Sequence, residues 1–407
     1  METSLAERND VLMRARLEFK SPFIIGGIKP VPNYIETLDY IPGNVLRAAF
    51  ARYILNNCPC FSQNEVAIIN GEKRKNWVYF RDKQECVNCR LKSLCVSFSK
   101  VKFSFFYPEG TDVIPLTTMR CKMKPEHRLI DVLIEKRECP DCLADGISDA
   151  RVESITGYLK YNDIYKVNKT LLTRTAVDKY TGTAKDGMLY SIEAITGTHD
   201  GGSIIYEGQV EGIPDEAMSM IEELRVGKYT SVGFGKCSIS FDNERYDEEK
   251  PADEDLVKKL QLFNKKYKDY NEIKDNNNYI AIKFTADTKL DFRGLDGGKT
   301  SLSGYINKDY LKDIWLNSMN SEKINPQGYR IDKVYAEVFN FRGYDTSKIG
   351  DVREEPVHMA QKGSVIVFKT EKSFSEITND FESIDGFGLD VANGFGRFAF
   401  HFGLEVY

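Results

Sequence analysis

One short pattern occurs twice in this chain, and its recurrence limits the fold more than any other feature. Val226 to Lys236 ends in Gly233-Phe234-Gly235-Lys236 and runs into the alternating segment Cys237 to Phe241. Far downstream, Gly386 to Arg397 ends in Gly394-Phe395-Gly396-Arg397 and runs into Phe398 to Phe402. Glycine turns that deliver the chain into an alternating strand at two distant places mark an internal duplication, not a short-period solenoid. The beginnings correspond too, with Leu12 to Phe19 in the first half and Tyr279 to Phe284 in the second. Between them, Asp242 to Asn278 is dense in Asp, Glu, Lys and Asn and has few apolar residues before Leu256, which reads as a linker carrying a solvated helix. The 407 residues thus divide into two related α+β units, expected over 1–245 and 279–407, joined by a charged linker at 246–278.

The second constraint is the distribution of thiols. All nine cysteines except Cys237 lie between Cys58 and Cys142, which sets that stretch apart as an insertion in the first unit. No run approaches the ~18 uninterrupted apolar residues of a membrane span, and Met1 to Asp10 is polar and acidic where a secretory leader needs a basic and then an apolar stretch. The expected compartment is therefore the cytoplasm, where thiols stay reduced and clustered ones suggest metal. Two CxxC pairs, Cys86/Cys89 and Cys139/Cys142, each let two sulfurs reach one ion from a tight turn. By proximity they divide into two expected structural zinc sites: Cys121, His127, Cys139 and Cys142, and Cys86, Cys89 and Cys95 with Cys58 or Cys60, of which Cys60 is taken. An iron–sulfur cluster at Cys86, Cys89 and Cys95 is the alternative there.

A net charge of −5 excludes a uniformly basic nucleic-acid coat but not a basic groove on an acidic body. Candidate contacts follow from local chemistry. In Ile41 to Phe50, Asn44 is placed to cap a helix whose stripe of Val45, Leu46, Ala49, Phe50, Tyr53 and Ile54 is core, leaving Arg47 off the stripe one turn in, where a phosphate could be met. The glycine loops expose backbone N–H groups at Gly233, Gly235, Gly394 and Gly396, with Lys228, Lys236 and Arg397 beside them. The stretch Asn168 to Tyr190 mixes hydroxyls, cations and aromatics; Arg174, Thr175, Lys179 and Lys185 could meet phosphates while Tyr180 or Tyr190 stacks on an unpaired base.

Taken together, Ile41-Pro42-Gly43-Asn44-Val45-Leu46-Arg47, the Arg174-Thr175-Ala176 to Gly187-Met188-Leu189-Tyr190 stretch, Lys362-Gly363-Ser364-Val365 and the two Gly-Phe-Gly loops resemble the RAMP superfamily of CRISPR proteins. With Pro115-Leu116-Thr117 leading into Cys121-Lys122, His127, Asp131 and Cys139-Pro140-Asp141-Cys142, the chain is most similar to the Cas-five-like subunit of type III-D effector complexes. Asn44 and Ala48 stand where the family pattern has Ser and Gly. The resemblance implies two ferredoxin-like (RRM-like) folds, a glycine loop in each, and a subunit that caps a ribonucleoprotein filament by gripping the 5′ handle of the CRISPR RNA. It implies as partners the large polymerase-like subunit and backbone RAMP subunits, with target RNA met only indirectly.

Catalysis has no anchor. Of four histidines, His127 is assigned to metal and His401 alternates along the last strand, leaving His199 and His358 as possible acid–base groups, and His199 in a Gly-rich turn reads better as a surface residue. Asp178 reads as a turn residue. Gly294 to Thr300 imitates a phosphate loop but has three residues where the motif needs four before Gly298-Lys299-Thr300. The expectation is a non-catalytic RNA-binding subunit; the alternatives are a metal-independent RAMP endoribonuclease that processes precursor RNA, or a zinc-stapled protein scaffold.

Overall fold

The computed structural model describes residues 12–26, 33–63, 65–81, 83–199, 202–242, 253–292, 308–318, 328–350 and 352–404. Strand β1 (Leu12–Phe19) forms because Met13, Ala15, Leu17 and Phe19 alternate with Arg14, Arg16 and Glu18, so that one face can be buried and the other wet. It pairs antiparallel on both sides, with β2 (Gly202–Glu211) and with β4 (Lys236–Phe241), and β3 (Glu223–Arg225) adds to the outer edge of β4. Helix α1 (Gly43–Asn56) covers the apolar face, setting Leu46, Phe50 and Ile54 against Leu17, Phe19, Tyr206 and Ile239.

The second half builds β5 (Asn278–Phe284), α3 (Lys308–Ser318), β6 (Tyr329–Tyr335), β7 (Val365–Thr370), α4 (Phe374–Glu382) and β8 (Phe398–His401). Its strand order is β6-β7-β5-β8, every neighbouring pair antiparallel. Ser373 and Glu376 close a capping box at the start of α4, whose Ile377 and Phe381 then pack with Trp315, Phe284 and Phe368. The result is a mixed α+β chain, as expected.

Two expectations change. Asn44 does not cap the helix: α1 begins at Gly43 with Pro42 before it, the Pro42 carbonyl accepts from the N–H groups of Val45 and Leu46, and Asn44 Oδ1 is buried without a hydrogen-bond partner among the described residues. The helix expected to be solvated within the linker, α2 (Asp253–Tyr270), instead buries Leu260, Phe263 and Tyr267, the last two against Tyr279, Ala281 and Val367 of the second sheet. Its charged residues occupy only the outer face, so its composition concealed an apolar stripe. The cysteine-rich insertion also does more than decorate the first half. Leu133 joins the α2 cluster, Leu116 N–H donates to Gly363 carbonyl at 2.7 Å, and Lys75 N–H donates to Ser347 carbonyl at 2.8 Å.

The two Gly-Phe-Gly turns correspond in individual hydrogen bonds. Lys20 N–H donates to Lys236 carbonyl at 2.8 Å, as Thr285 N–H does to Arg397 carbonyl at 2.8 Å. Gly235 N–H reaches Pro22 carbonyl and Gly396 N–H reaches Asp287 carbonyl, each at 2.9 Å. Each loop carries one 3-10 turn, Thr230–Val232 or Val391–Asn393, flanked by left-handed residues at Tyr229 and Gly233 or Asp390 and Gly394. Among the described residues no helix is long and apolar enough to cross a membrane.

Candidate nucleic-acid interface

The two loops share a backbone shape but meet different surroundings. The second is packed against the first half: a Cβ on Gly394 would lie 2.7 Å from Phe103 carbonyl oxygen and 2.8 Å from Phe105 nitrogen. Arg47 reaches across to it, with Nε donating to Asn393 Oδ1 at 2.5 Å, Nη1 to Phe98 carbonyl at 3.2 Å and Nη2 to Val101 carbonyl at 2.5 Å. Gly43 and Arg47 therefore hold the halves together, and the expected phosphate contact of Arg47 is replaced by internal acceptors. Gly396 sits where a Cβ would meet Phe387 carbonyl oxygen at 1.8 Å, the tight turn that the loop requires. Arg397, just beyond, donates through Nη1 to Gln209 Oε1 at 3.2 Å.

The first loop is open. Gly233, at φ +102°, has nothing within 4 Å of an added Cβ among the described residues, and Val232 beside it is 60% exposed. Gly235 is not open, since its added Cβ would meet Val226 carbonyl oxygen at 2.0 Å. Phe234 anchors the loop by packing with Ile24, Ile192 and Ala194. Ile192 and Ala194 belong to a long antiparallel hairpin, Lys169–Val177 with Ala184–Ile195, whose Leu172 and Tyr190 lean on the same cluster. Arg174 is exposed and carries its guanidinium 5.5 Å from the Phe234 ring centroid, which joins loop and hairpin into one surface. Thr175, Lys179 and Lys185 are exposed along the same hairpin, and Tyr180 at its tip is 99% exposed. Lys236 is paired with Glu223 at 3.0 Å, and the Lys228 stem lies against Gly26. Asp178 accepts from the N–H groups of Tyr180 at 2.9 Å and Thr181 at 3.0 Å, bonds that hold its carboxyl below the usual range and fix the hairpin turn.

Both halves also meet through a polar seam that the sequence did not signal. Tyr40 hydroxyl donates to Asp287, Lys362 N–H donates to Asp287 Oδ1 at 2.8 Å, and Lys362 Nζ lies 3.5 Å from Asp39 Oδ1. No spacing rule connects these residues. Arg14 and Arg16 of β1 are half-buried on the face away from the core, Arg14 paired with Glu207 and Arg16 with Glu109 at 3.3 Å.

Cys121, His127, Cys139 and Cys142 converge, with one ligand atom from each lying within 4.8 Å of the others. Cys121 ends a short strand, Thr118–Cys121, while Cys139 and Cys142 flank the first turn of the helix Pro140–Ala144. Cys121 Sγ lies 3.4 Å from Cys142 Sγ, and His127 Nδ1 lies 3.3 Å from Cys139 Sγ and 3.5 Å from Cys142 Sγ. Ligands 2.0–2.3 Å from a tetrahedral ion stand roughly 3.5–3.8 Å apart, so this Cys₃His set could hold a metal ion. Burial pushes the Cys121 thiol up, but the Lys124 N–H, the Cys142 thiol and the Met123 N–H bring it down to about 7, while burial and the Cys121 thiol push Cys142 up to about 12. The other set is gathered less tightly. Cys60 and Cys86 sulfurs are 3.6 Å apart, while Cys58, Cys86, Cys89 and Cys95 line one small enclosed cavity with Arg81, and among the described residues only the first group meets the four-ligand spacing.

His401 Nε2 lies 2.5 Å from Asp131 Oδ2 in a buried pair, and the His358 ring faces Phe292 at 5.1 Å. The His199 side chain and the phosphate-loop imitation at 294–300 lie outside the described residues.

Residues 16–238, more than half of the chain, match the family model described as RAMPs, RAMP superfamily. Among solved structures, a chain of the type III-B Cmr-beta complex bound to cognate target RNA aligns over 91% of this chain and 89% of its own, at 13% identity and a TM-score of 0.40. The same complex bound to target RNA and AMPPnP, in state 1, gives the same values. A chain of its apo state covers 57% of this chain and 98% of its own, at 10% identity and a TM-score of 0.30. No curated protein matches the sequence.

Proposed function

The chain belongs to the RAMP superfamily, and on that premise we propose that it is a non-catalytic, cytoplasmic RNA-binding subunit of a type III CRISPR effector complex, of the III-D kind. In this reading its halves are two ferredoxin-like domains, and it caps the complex by gripping the 5′ handle of the CRISPR RNA. The large polymerase-like subunit and backbone RAMP subunits are its partners. The observation that carries the reading is the first loop, where among the described residues Gly233 is uncovered and Arg174 of the hairpin lies over Phe234, with Thr175, Lys179, Lys185 and Tyr180 exposed farther along that hairpin. Cations and hydroxyls meet the backbone of a single strand, an uncovered glycine lets it approach, and an exposed ring stacks on an unpaired base. Zinc at Cys121, His127, Cys139 and Cys142 supports the insertion without taking part in chemistry, and the looser Cys86, Cys89 and Cys95 set is the second candidate centre.

The test is a gel shift of the full chain with 5′-labelled handle RNA and a scrambled control at several salt concentrations, run beside a denaturing gel. Preferential, salt-sensitive binding of intact RNA is expected. Arg174→Ala combined with Lys179→Ala should lower the salt slope by about 0.7 for each phosphate that is no longer neutralised. An unchanged affinity and slope would overturn the proposal, and specific cutting would replace it with an endoribonuclease.

A further inference from the structure

Four thiols of the insertion border one enclosed cavity of about 20 Å³: Cys58, Cys86, Cys89 and Cys95, with Arg81 and Lys92 beside them. One water-sized sphere takes roughly 10–15 Å³, so the space matches a single ion, whereas a cluster of several iron and sulfide ions would need more. Three short pieces of backbone bring the cysteines there. Cys58 lies just past the end of α1, its N–H donating to Leu55 carbonyl at 3.2 Å. Cys86 and Cys89 share one turn, closed by Cys89 N–H on Cys86 carbonyl at 3.3 Å. Cys95 belongs to the helix Lys92–Ser97, whose Leu94 packs in the same core as Phe50 and Ile54 of α1.

The lining also says which ion. Thiolates are soft donors that select zinc over calcium or magnesium. Zinc held by four thiolates keeps a net negative charge, which Arg81 and Lys92 are placed to offset, and among the described residues that line the cavity there is no carboxylate. Arg81 Nη1 already lies 3.9 Å from Cys58 Sγ, a contact that a metal-bound thiolate keeps. Cys60, expected above as the fourth ligand, does not border the cavity; its sulfur meets Cys86 Sγ at 3.6 Å and Glu85 Oε2 at 3.9 Å. We propose that Cys58, Cys86, Cys89 and Cys95 hold a second zinc ion, with Cys60 outside the ligand set. Side-chain rotation closes the four sulfurs on the ion. The ion ties the end of α1 to the insertion, while farther along the insertion Asp131 meets His401 of the second half. The insertion is thereby fastened to both halves. This names the ion and the fourth ligand for the looser cysteine set and does not depend on RNA binding.

The experiment counts metal by elemental analysis of the full chain, purified without RNA from zinc-supplied cells, and repeats the count after exchange with cobalt(II), whose thiolate absorption reads the number of sulfurs. The unaltered chain should hold about two zinc ions, and Cys142→Ser, which breaks the Cys₃His cage, about one. In that background Cys58→Ser should remove the remaining ion, Cys60→Ser should leave it, and Cys58→His should restore it with weaker cobalt absorption. Should Cys142→Ser fail to fold, the single variants decide, with about one zinc ion expected in Cys58→Ser and about two in Cys60→Ser. A zinc content that Cys58→Ser does not lower, a loss with Cys60→Ser in its place, or iron with acid-labile sulfide would overturn the assignment. Each of these leaves the RNA-binding reading standing, since the gel shift of the unaltered chain is read separately.

Discussion

Arg47, one turn into the first helix, donates to the side chain of Asn393, which lies in the second glycine loop at the far end of the chain. An arginine that sequence logic offers to a phosphate is thus a bolt between the duplicated halves. Its environment fits that role, since burial lowers the guanidinium pKa and the nearby Asp390 carboxylate opposes the shift.

Arg47→Ala should therefore destabilise the fold without touching RNA binding. It removes charge-assisted bonds to Asn393 and to the Phe98 and Val101 carbonyls, for a loss on the order of 3 kcal/mol. Arg47→Lys should recover little, because one ammonium cannot reproduce the spread of a guanidinium. Urea unfolding reads the first effect. The salt slope of RNA binding reads the second and should stay at the unaltered value.

Equivalent glycines should respond unequally. Gly396→Ala places a methyl 1.8 Å from Phe387 carbonyl oxygen at φ +71°, so a steep loss of soluble, folded protein is expected. Gly233→Ala meets open space and carries only the left-handed backbone strain, about 1–2 kcal/mol. Thermal midpoints of the two variants separate them, and equal losses would contradict the different packing of the two loops.

Metal removal should loosen the insertion and its grip on the second half. Chelation, or Cys142→Ser, should release zinc from the Cys₃His cage and lower the thermal midpoint. Elemental analysis of the purified chain gives the occupancy directly. If Cys142→Ser leaves the zinc content unchanged, the cage is not the zinc site.

The buried Asp131–His401 pair should make stability depend on pH. Burial alone would raise the Asp131 carboxyl, but the His401 hydrogen bond and charge and the Leu133 N–H together hold it below the usual range. A carboxyl depressed on folding adds stability that is present above its unfolded pKa near 4 and is lost as pH falls through the lower folded value. Asp131→Asn should thus be destabilising at neutral pH, with the difference shrinking below pH 4 in denaturant titrations. A penalty that is constant from pH 7 to pH 3 would contradict the pairing.

Much of the architecture was legible because short-range chemistry fixes it. Alternating apolar residues in Leu12 to Phe19 require a strand with one buried face, and Gly235 and Gly396 are needed wherever that turn closes, so the two matching turns were legible in the residues themselves. The CxxC at Cys139 and Cys142 likewise forces two sulfurs toward one point, and proximity supplied Cys121 and His127. What the sequence left open was which neighbours cover these local units. Two loops with one backbone geometry diverge because Gly43 and Arg47 reach only the second, and α2 is core because its Phe263 and Tyr267 find the second sheet. The Asp39, Asp287 and Lys362 seam and the Arg397–Gln209 bond join residues far apart in the chain. Local propensity and spacing carry no information about such pairs; they are set only when two finished surfaces pack and each buried polar group must find a partner.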